Sequence, residues 1–246
     1  MNDLTYYVLS AFAVLLTLTV HEYCHGYAAY RLGDPTAKNA GRLTLNPIKH
    51  IDPIGALCMI FFHFGWAKPV PVYTRNFRNP KKDCAIVAFA GPLSNFVLAF
   101  TSAFVYLLIY ACFRNVEFGS KIAYIAVSNT LLFFNLFHLI NIGICIFNLI
   151  PVPPLDGSRI LNAFLPPKAS YTYMKYERNL YFILLGWLLL GDVVANAILS
   201  IPGASSNVIF TVIAKIFSLS DLLGYLIEKI SSLIFKLFEL IPFHRI

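Results

Sequence analysis

Charged residues are scarce in this chain. Only 13% of its 246 residues are Asp, Glu, Lys or Arg, whereas about 25% is usual in a soluble domain. Hydrophobic residues make up 58% of the chain, and the mean hydropathy is +0.69. The shortage of charge excludes an ordinary soluble globular domain. It predicts an all-α polytopic membrane protein with about four to six transmembrane helices.

Acidic residues are scarcer than basic ones, which gives a formal net charge of +7. Such a charge can indicate nucleic-acid binding, but here the basic residues lie beside apolar runs. Residues 31–82 hold nine of the nineteen lysines and arginines. This pattern is typical of cytoplasmic loops that contact anionic lipid. We therefore expect a lipid bilayer and no nucleic acid as partner, a multi-pass location in the cell membrane, and an N-terminus outside the cell.

The chain has only five cysteines, and no two of them have the CxxC spacing. Most of them lie within apolar runs, where a free cysteine behaves as a small buried hydrophobic residue. A disulfide framework is therefore excluded as an organising feature. The cysteines are Cys24, Cys58, Cys84, Cys112 and Cys145.

Long apolar runs predict the membrane spans. They cover residues 4–32, 84–112, 122–150 and 180–201. A further stretch, 206–240, contains polar residues at helical spacing. It predicts an amphipathic helix on the membrane surface or against the bundle, and whether it crosses the bilayer stays open.

A short membrane-associated segment is predicted between the first two spans. Residues 54–64 are apolar but too few to span, which favours a re-entrant or interfacial piece. The sequence Pro-Val-Pro-Val-Tyr at 69–73 suits a sheet edge, because its prolines cannot donate to a β-ladder. An edge could receive an unfolded substrate as an added strand. An ordinary surface loop is the alternative, and spacing alone favours it.

Within the first predicted span, the apolar stretch from Leu4 to Val20 is followed by His-Glu-x-x-His, formed by His21, Glu22 and His25. On a helix, the two histidines share one face about 6 Å apart, so both can bind one zinc ion. Zinc lowers the pKa of a bound water to about 7, and a glutamate beside it can take the proton. The motif predicts His21 and His25 as metal ligands and Glu22 as the catalytic base.

A catalytic zinc takes three protein ligands and keeps one position open. Asp156 is the best candidate for the third. It follows three prolines in four residues, which must end the third span near the cytoplasmic side, at the depth predicted for the histidines. Asp156 could instead serve only as a turn residue, since Asp-Gly is a common turn dipeptide. His50 and His138 are rival ligands.

Amides within the spans predict contacts inside a bundle or a wet cavity. Asn95 lies in the second span, where it can bond another helix or contact a substrate. The third span carries Asn129, Asn135, Asn141 and Asn148.

The motifs together resemble the site-2 protease family of intramembrane zinc metalloproteases. The similarity lies in His-Glu-x-x-His, in Asn-x-x-Pro-x-Pro-Pro-Leu-Asp-Gly at 148–157, in Gly-Pro-Leu-Ser-Asn at 91–95, and in Gly-Trp-Ala-Lys-Pro-Val at 65–70. It covers about residues 8–165. The chain is similar to compact prokaryotic members, without a PDZ or other soluble regulatory domain.

The resemblance implies roles for individual residues. His21, His25 and Asp156 match the zinc ligands, with one Zn²⁺ per chain, and Glu22 matches the base. Asn148 matches a polar position that helps to hold substrate. The stretch from Trp66 to Tyr73 matches the edge strand that receives the unwound substrate helix. That stretch contributes Trp66, Pro69, Val70, Pro71 and Val72 as candidate substrate-binding residues, with Asn95 as a further candidate.

The sequence thus predicts a zinc-dependent intramembrane endopeptidase. It would cut transmembrane protein substrates in or near the membrane, with its active site toward the cytoplasm. Residues 1–165 would form the protease core, and residues 166–246 would form C-terminal transmembrane and amphipathic helices. Homo-oligomerisation is left open. The alternatives are a non-catalytic zinc-holding membrane scaffold and, less favoured, a membrane transporter, which would need ionisable residues spread along the spans and an inverted repeat.

Overall fold

The computed structural model describes residues 3–55, 67–202 and 207–239. Within these ranges the chain is helical and forms no β-strand. Four of the described helices are long and apolar enough to cross a membrane, and a bent helix pair near the C-terminus would make a fifth crossing if it forms one span. The predicted all-α, polytopic membrane fold is confirmed.

The long helices coincide with the predicted apolar runs to within one helical turn. Two short 3₁₀ turns, Pro47–His50 and Thr74–Asn76, lie between α2 and α3. The helices in chain order are α1 (Asp3–Arg31), α2 (Thr36–Asn39), α3 (Pro80–Phe113), α4 (Lys121–Leu149), α5 (Asp156–Phe164), α6 (Pro167–Lys175), α7 (Glu177–Leu199), α8 (Val208–Phe217) and α9 (Leu219–Glu239). Of these, α1, α3, α4 and α7 are the candidate spans.

Helix α3 lies at the centre of the bundle, where it packs against α1, α4 and α5. The C-terminal helix α9 packs against α4 and α3, and its Ile234 and Phe238 are buried beside Ala99, Ala103 and Ile142. Of the two positions predicted for this amphipathic helix, the structure shows the one against the bundle.

Helix α1 ends in a Schellman motif at Gly33. The backbone N–H of Gly33 donates to the carbonyl of Tyr30, and that of Asp34 donates to the carbonyl of Ala29. Gly33 has a φ of 106°, a backbone conformation that is strained for any residue with a Cβ atom. The chain therefore turns sharply just beyond the end of the first span.

The residue after this turn, Asp34, fastens a distant loop to the end of α1. Its buried carboxylate accepts hydrogen bonds from the backbone N–H of Tyr73 and the amide of Asn76, both at 2.7 Å, and from the backbone N–H and hydroxyl of Thr36. Burial alone raises the pKa of Asp34, but these hydrogen bonds outweigh it and hold the pKa below its ordinary value. The carboxylate of Asp34 thus holds the 3₁₀ turn Thr74–Asn76 against the end of α1.

Replacing Asp34 by alanine should loosen this loop. A hydrogen bond to a charged group contributes about 1.5–3 kcal/mol, so trypsin should cut after Arg75 and Arg78 roughly 30-fold faster than in wild type. The folded pKa is lowered, so this stabilisation is present above about pH 4 and is lost as the pH falls through the lowered value. Timed proteolysis at neutral pH tests the substitution, with Glu117→Ala in the exposed loop after α3 as control. Equal cutting rates in Asp34→Ala and wild type would contradict the anchoring role.

The segment 69–73 is extended but forms no strand among the described residues. Pro69 and Pro71 have no N–H to offer, and the N–H groups of Val70 and Tyr73 are taken by the carboxylates of Glu22 and Asp34. The nearest β-type pairing is an isolated antiparallel bridge between residues 51 and 67. The segment 69–73 is therefore a loop, which was the predicted alternative to an edge strand. Most of the predicted re-entrant piece, and Trp66, lie outside the described residues.

Candidate metal centre

Helix α1 carries His21 and His25 on one buried face, toward its C-terminal end. The four-residue spacing brings the two rings together edge-to-face, at an interplanar angle of 87° and with their centroids 4.5 Å apart. Their Nε2 atoms are 3.0 Å apart, and both residues are buried. From Asp3 to His21 the helix rises roughly 27 Å, so the pair lies near the far end of this span.

Asp156 is the first residue of α5, and its side chain approaches the two histidines of α1. The proline-rich stretch 151–154 cannot continue α4 as a helix, so the chain turns and starts α5 immediately afterwards. Gly157 permits this path, because a Cβ there would collide with the carbonyl oxygen of Leu149 and lie 2.5 Å from that of Ile150. Asp156 Oδ2 lies 3.3 Å from His21 Nε2 and 3.2 Å from His25 Nε2.

The three atoms form a nearly equilateral triangle with sides of 3.0, 3.2 and 3.3 Å. Ligands placed tetrahedrally around zinc at about 2.0–2.1 Å are separated by about 3.3 Å. Asp156 Oδ2 is buried and has no hydrogen-bond partner, as expected for an oxygen whose partner is a metal ion. The geometry and the donor set therefore fit a tetrahedral divalent cation with one open position.

The protonation of the site also suits a metal. Burial alone raises the pKa of Asp156, but its contacts with His21 and His25 outweigh burial and lower the pKa to about 2. The Nδ1 atom of His25 lies 2.7 Å from the carbonyl oxygen of Val87, and that of His21 lies 2.5 Å from Asn95 Oδ1. A carbonyl oxygen only accepts, so His25 Nδ1 carries a proton, and in the neutral ring the Nε2 lone pair is left to face the cluster.

A glycine in α3 leaves room for both rings. A Cβ at Gly91 would lie 2.6 Å from His21 Cε1 and would collide with His25 Nε2. In the sequence, Gly91 was identified only as the first residue of the Gly-Pro-Leu-Ser-Asn match at 91–95. The structure shows that the close approach of α3 to α1 occurs at the histidine cluster itself.

Glu22 lies beside the cluster and faces a cavity. Its Oε2 accepts a hydrogen bond of 2.8 Å from the backbone N–H of Val70. The cavity has a volume of about 420 Å³ and is lined by the two histidines, Glu22 and Asp156. Residues of the segment 69–74, of α3, of the end of α4, of the turn before α5 and of α5 itself complete its wall. The carboxylate can therefore meet a molecule that enters beside the three ligating atoms.

The predicted substrate-binding residues have different positions. Pro69, Val70, Val72 and Asn148 line the cavity, whereas Pro71 is not among its lining residues. Trp66 lies outside the described residues. Asn95 is fully buried, is not part of the cavity wall, and has its amide bonded to His21 and to Asn141. Its position disagrees with the predicted substrate contact and agrees with the predicted bond to another helix.

The rival ligands lie elsewhere. His50 Nε2 bonds the carbonyl of Thr44 in the loop after α2. His138 in α4 bonds the carbonyl of Ala99 and the hydroxyl of Ser231, which joins α4 to α3 and α9. Among the described residues, the one cluster of three or more His, Cys, Asp or Glu residues suited to a metal is His21, His25 and Asp156.

Reasoning from the sequence missed several residues of the cavity wall, namely Thr74, Cys84, Val87, Ala88, Pro154 and Arg159. It also missed that Asn141 and Thr17 are linked to the cluster through Asn95. The signal that could have indicated this link was the unusual number of amides in the spans.

The fold and the cluster define a class, a multi-pass membrane protein whose His-His-Asp cluster could hold a metal ion beside a glutamate, as in a membrane-embedded metallohydrolase. The chain belongs to peptidase family M50, whose sequence profile matches residues 9–191. This membership confirms the predicted site-2 protease family and the predicted enzyme class, a metalloendopeptidase.

Individual relatives agree with this assignment. YwhC of Bacillus subtilis, provisionally named a zinc metalloprotease, is 38% identical over 192 residues, which cover 75% of this chain and 85% of YwhC. Rip2 of Mycolicibacterium smegmatis, with the same provisional name, is 29% identical over 166 residues, 63% of this chain and 57% of Rip2. Rip2 of Mycobacterium tuberculosis is 26% identical over 160 residues, with the same two shares. No solved structure matches the chain.

Proposed function

We propose that this protein is a zinc-dependent intramembrane endopeptidase that hydrolyses peptide bonds in or near transmembrane segments of other membrane proteins. One observation carries the proposal. Three ligating atoms converge to within 3.3 Å beside Glu22, at one end of a membrane-length helix and on the wall of a cavity.

In this proposal His21, His25 and Asp156 hold one Zn²⁺ per chain. The triangle of ligating atoms, the unpartnered Asp156 Oδ2 and the zinc metalloprotease names of the relatives support it. When bound there, zinc supplies Lewis-acid polarisation of the scissile carbonyl and lowers the pKa of a water molecule. The mixed nitrogen and oxygen ligands are of the kind that catalytic zinc sites use.

Glu22 acts as the general base and then as the general acid. Its carboxylate takes a proton from the attacking water and delivers it to the leaving amine. The hydrogen bond from the Val70 N–H holds one carboxylate oxygen, which keeps the side chain turned toward the cavity. Glu22 thus transfers the proton, while the hydrogen bond from Val70 sets the orientation of the Glu22 side chain.

The wall of the cavity is the proposed substrate site. A transmembrane helix must unwind before its peptide bonds can react, and the freed backbone groups then need partners. The extended stretch 69–73 borders the cavity on one side, and Asn148 contributes an amide on another. Together with Trp66 and Pro71, these residues would hold the unwound segment by the strand-addition mode predicted from the sequence.

The proposed location is the cell membrane, with the N-terminus outside and the active site toward the cytoplasm. The basic segment 31–82, which follows the histidine end of α1, supports this orientation. We further propose 1–165 as the protease core, because every residue that lines the cavity precedes 165. Impermeant maleimide labelling of Gly119→Cys tests the orientation. The cysteine should react in intact cells, and labelling only after permeabilisation would contradict the proposed topology.

The test of substrate class compares two reporters in detergent or vesicles. One contains a transmembrane helix, and the other has the same flanking sequence with a soluble linker in place of the helix. We expect cleavage in or next to the helix, located by mass spectrometry, and little cleavage of the soluble reporter. Preferential cleavage of the soluble reporter would contradict the intramembrane role. A wild-type protein that binds zinc and the helix but cuts neither reporter would instead support the non-catalytic scaffold.

A further inference from the structure

A row of buried side chains leads away from the histidine cluster across three helices. His21 Nδ1 on α1 meets Asn95 Oδ1 on α3 at 2.5 Å, and Asn95 Nδ2 donates to Asn141 Oδ1 on α4 at 2.9 Å. Asn141 Nδ2 then donates to Thr17 Oγ1 on α1 at 2.9 Å and to the carbonyl oxygen of Phe137 at 2.7 Å. Asn95, Asn141 and Thr17 are each fully buried.

The carbonyl oxygen of Phe137 determines which way each amide in this row is oriented. The carbonyl oxygen of Phe137 can only accept, so the NH₂ group of Asn141 must face it. The oxygen of Asn141 therefore faces Asn95, and the NH₂ group of Asn95 donates a hydrogen bond to it. Asn95 is left with its oxygen toward His21. The opposite orientation of the two amides would bring the Asn141 oxygen against the Phe137 oxygen.

This polarity decides which tautomer His21 adopts. An acceptor at Nδ1 requires the proton there, which leaves the lone pair on Nε2, the atom that faces Asp156 Oδ2 and His25 Nε2. His25 obtains the same tautomer directly from the carbonyl of Val87. The acceptor at His21 Nδ1 is a side-chain oxygen, that of Asn95, where His25 has a backbone carbonyl. The orientation of the His21 ring therefore depends on Asn95 and, through it, on Asn141.

We propose that Asn95, oriented by Asn141, is a positioning residue that holds the ring and the tautomer of His21 in the metal-binding state. The packing of α1, α3 and α4 thereby sets the metal affinity of the site. The proposal rests on the proposed function, because it takes His21 to be a zinc ligand. Partners behind a ligating histidine typically contribute about 10–100-fold to metal affinity.

A purely structural role for Asn95 makes a different prediction. Amides that only join helices in a membrane stabilise the bundle. Their loss would lower the unfolding temperature and leave the metal site of the folded protein unchanged. The two roles therefore separate when metal affinity and ligand geometry are measured on folded protein.

The experiment measures the zinc dissociation constant by chelator competition and the visible spectrum of the Co²⁺-loaded protein. The variants are Asn95→Leu and Asn141→Leu, each checked for folding by thermal unfolding. Ser102→Ala is the matched control, because Ser102 is also buried on α3 and bonds a carbonyl of its own helix. Both leucine variants should weaken zinc binding about 10–100-fold and shift the Co²⁺ bands. Ser102→Ala should stay within about threefold of wild type.

The outcomes separate this inference from the proposed function. If wild type binds zinc and folded Asn95→Leu binds it equally well, the positioning role is wrong while the zinc site stands. If Asn95→Leu does not fold, Asn141→Leu decides, and unchanged zinc affinity in that folded variant overturns the inference. If wild type itself binds neither zinc nor Co²⁺, the proposed function and the inference both fail.

Discussion

Replacing Glu22 by glutamine should lower kcat by roughly three orders of magnitude and leave the zinc content unchanged. A positioned general base typically contributes about 10²–10⁴-fold, and an amide cannot take a proton from water at neutral pH. Glutamine has nearly the same shape, and its oxygen can still accept the N–H of Val70. The metal ligands are left intact, so the loss should fall on turnover alone.

The measurement is the cleavage rate of the transmembrane reporter at saturating substrate, together with zinc per chain in the same sample. Glu117→Gln, in the exposed loop after α3, provides the control for a lost carboxylate and should cut like wild type. If Glu22→Gln retains zinc and cuts within tenfold of wild type, Glu22 is not the base.

Replacing Gly91 by alanine should weaken the metal site strongly and lower cleavage at limiting zinc. The added methyl group would occupy the space of His25 Nε2 and lie 2.6 Å from His21 Cε1, so α3 or the rings must move. Overpacking of this kind costs about 1–3 kcal/mol and sometimes more, and here the cost falls on the ligands. Zinc affinity should therefore fall roughly 100-fold or further.

This prediction can be separated from a general effect on the helix. Alanine is a better helix former than glycine by about 1 kcal/mol, so α3 itself is not weakened by the substitution. The matched control is Gly186→Ala in α7, where an added Cβ meets nothing within 4 Å. That variant should keep the zinc and the activity of wild type. Tight zinc binding by Gly91→Ala would show that α3 approaches α1 less closely than the structure indicates.

Much of the fold could be predicted from the sequence, because the spans are marked by hydrophobicity alone. The runs that predicted α1, α3, α4 and α7 needed no knowledge of tertiary packing. The spacing of His21 and His25 likewise depends only on helix geometry. Asp156 could be predicted because a run of prolines ends α4, and because the topology puts that end at the depth of the histidines.

The remaining features depend on how the helices are rotated against each other, which no local pattern records. A glycine in a span predicts close packing, but only the bundle shows that Gly91 faces two histidine rings. Asn95 could face a cavity or a neighbouring helix, and its full burial beside Asn141 decides between them. The loop character of 69–73 follows from Glu22 and Asp34, which take two of its N–H groups.

The measurement that tests the central claim most directly is zinc content and cleavage in one purified sample, before and after metal removal. Wild type should hold about one zinc per chain and cut the transmembrane reporter. It should lose cleavage when a chelator removes the metal and regain it when zinc is returned. Asp156→Ala should bind zinc far more weakly and cut nothing. Cleavage that persists in metal-free protein, or Asp156→Ala that holds zinc as tightly as wild type, would contradict the account.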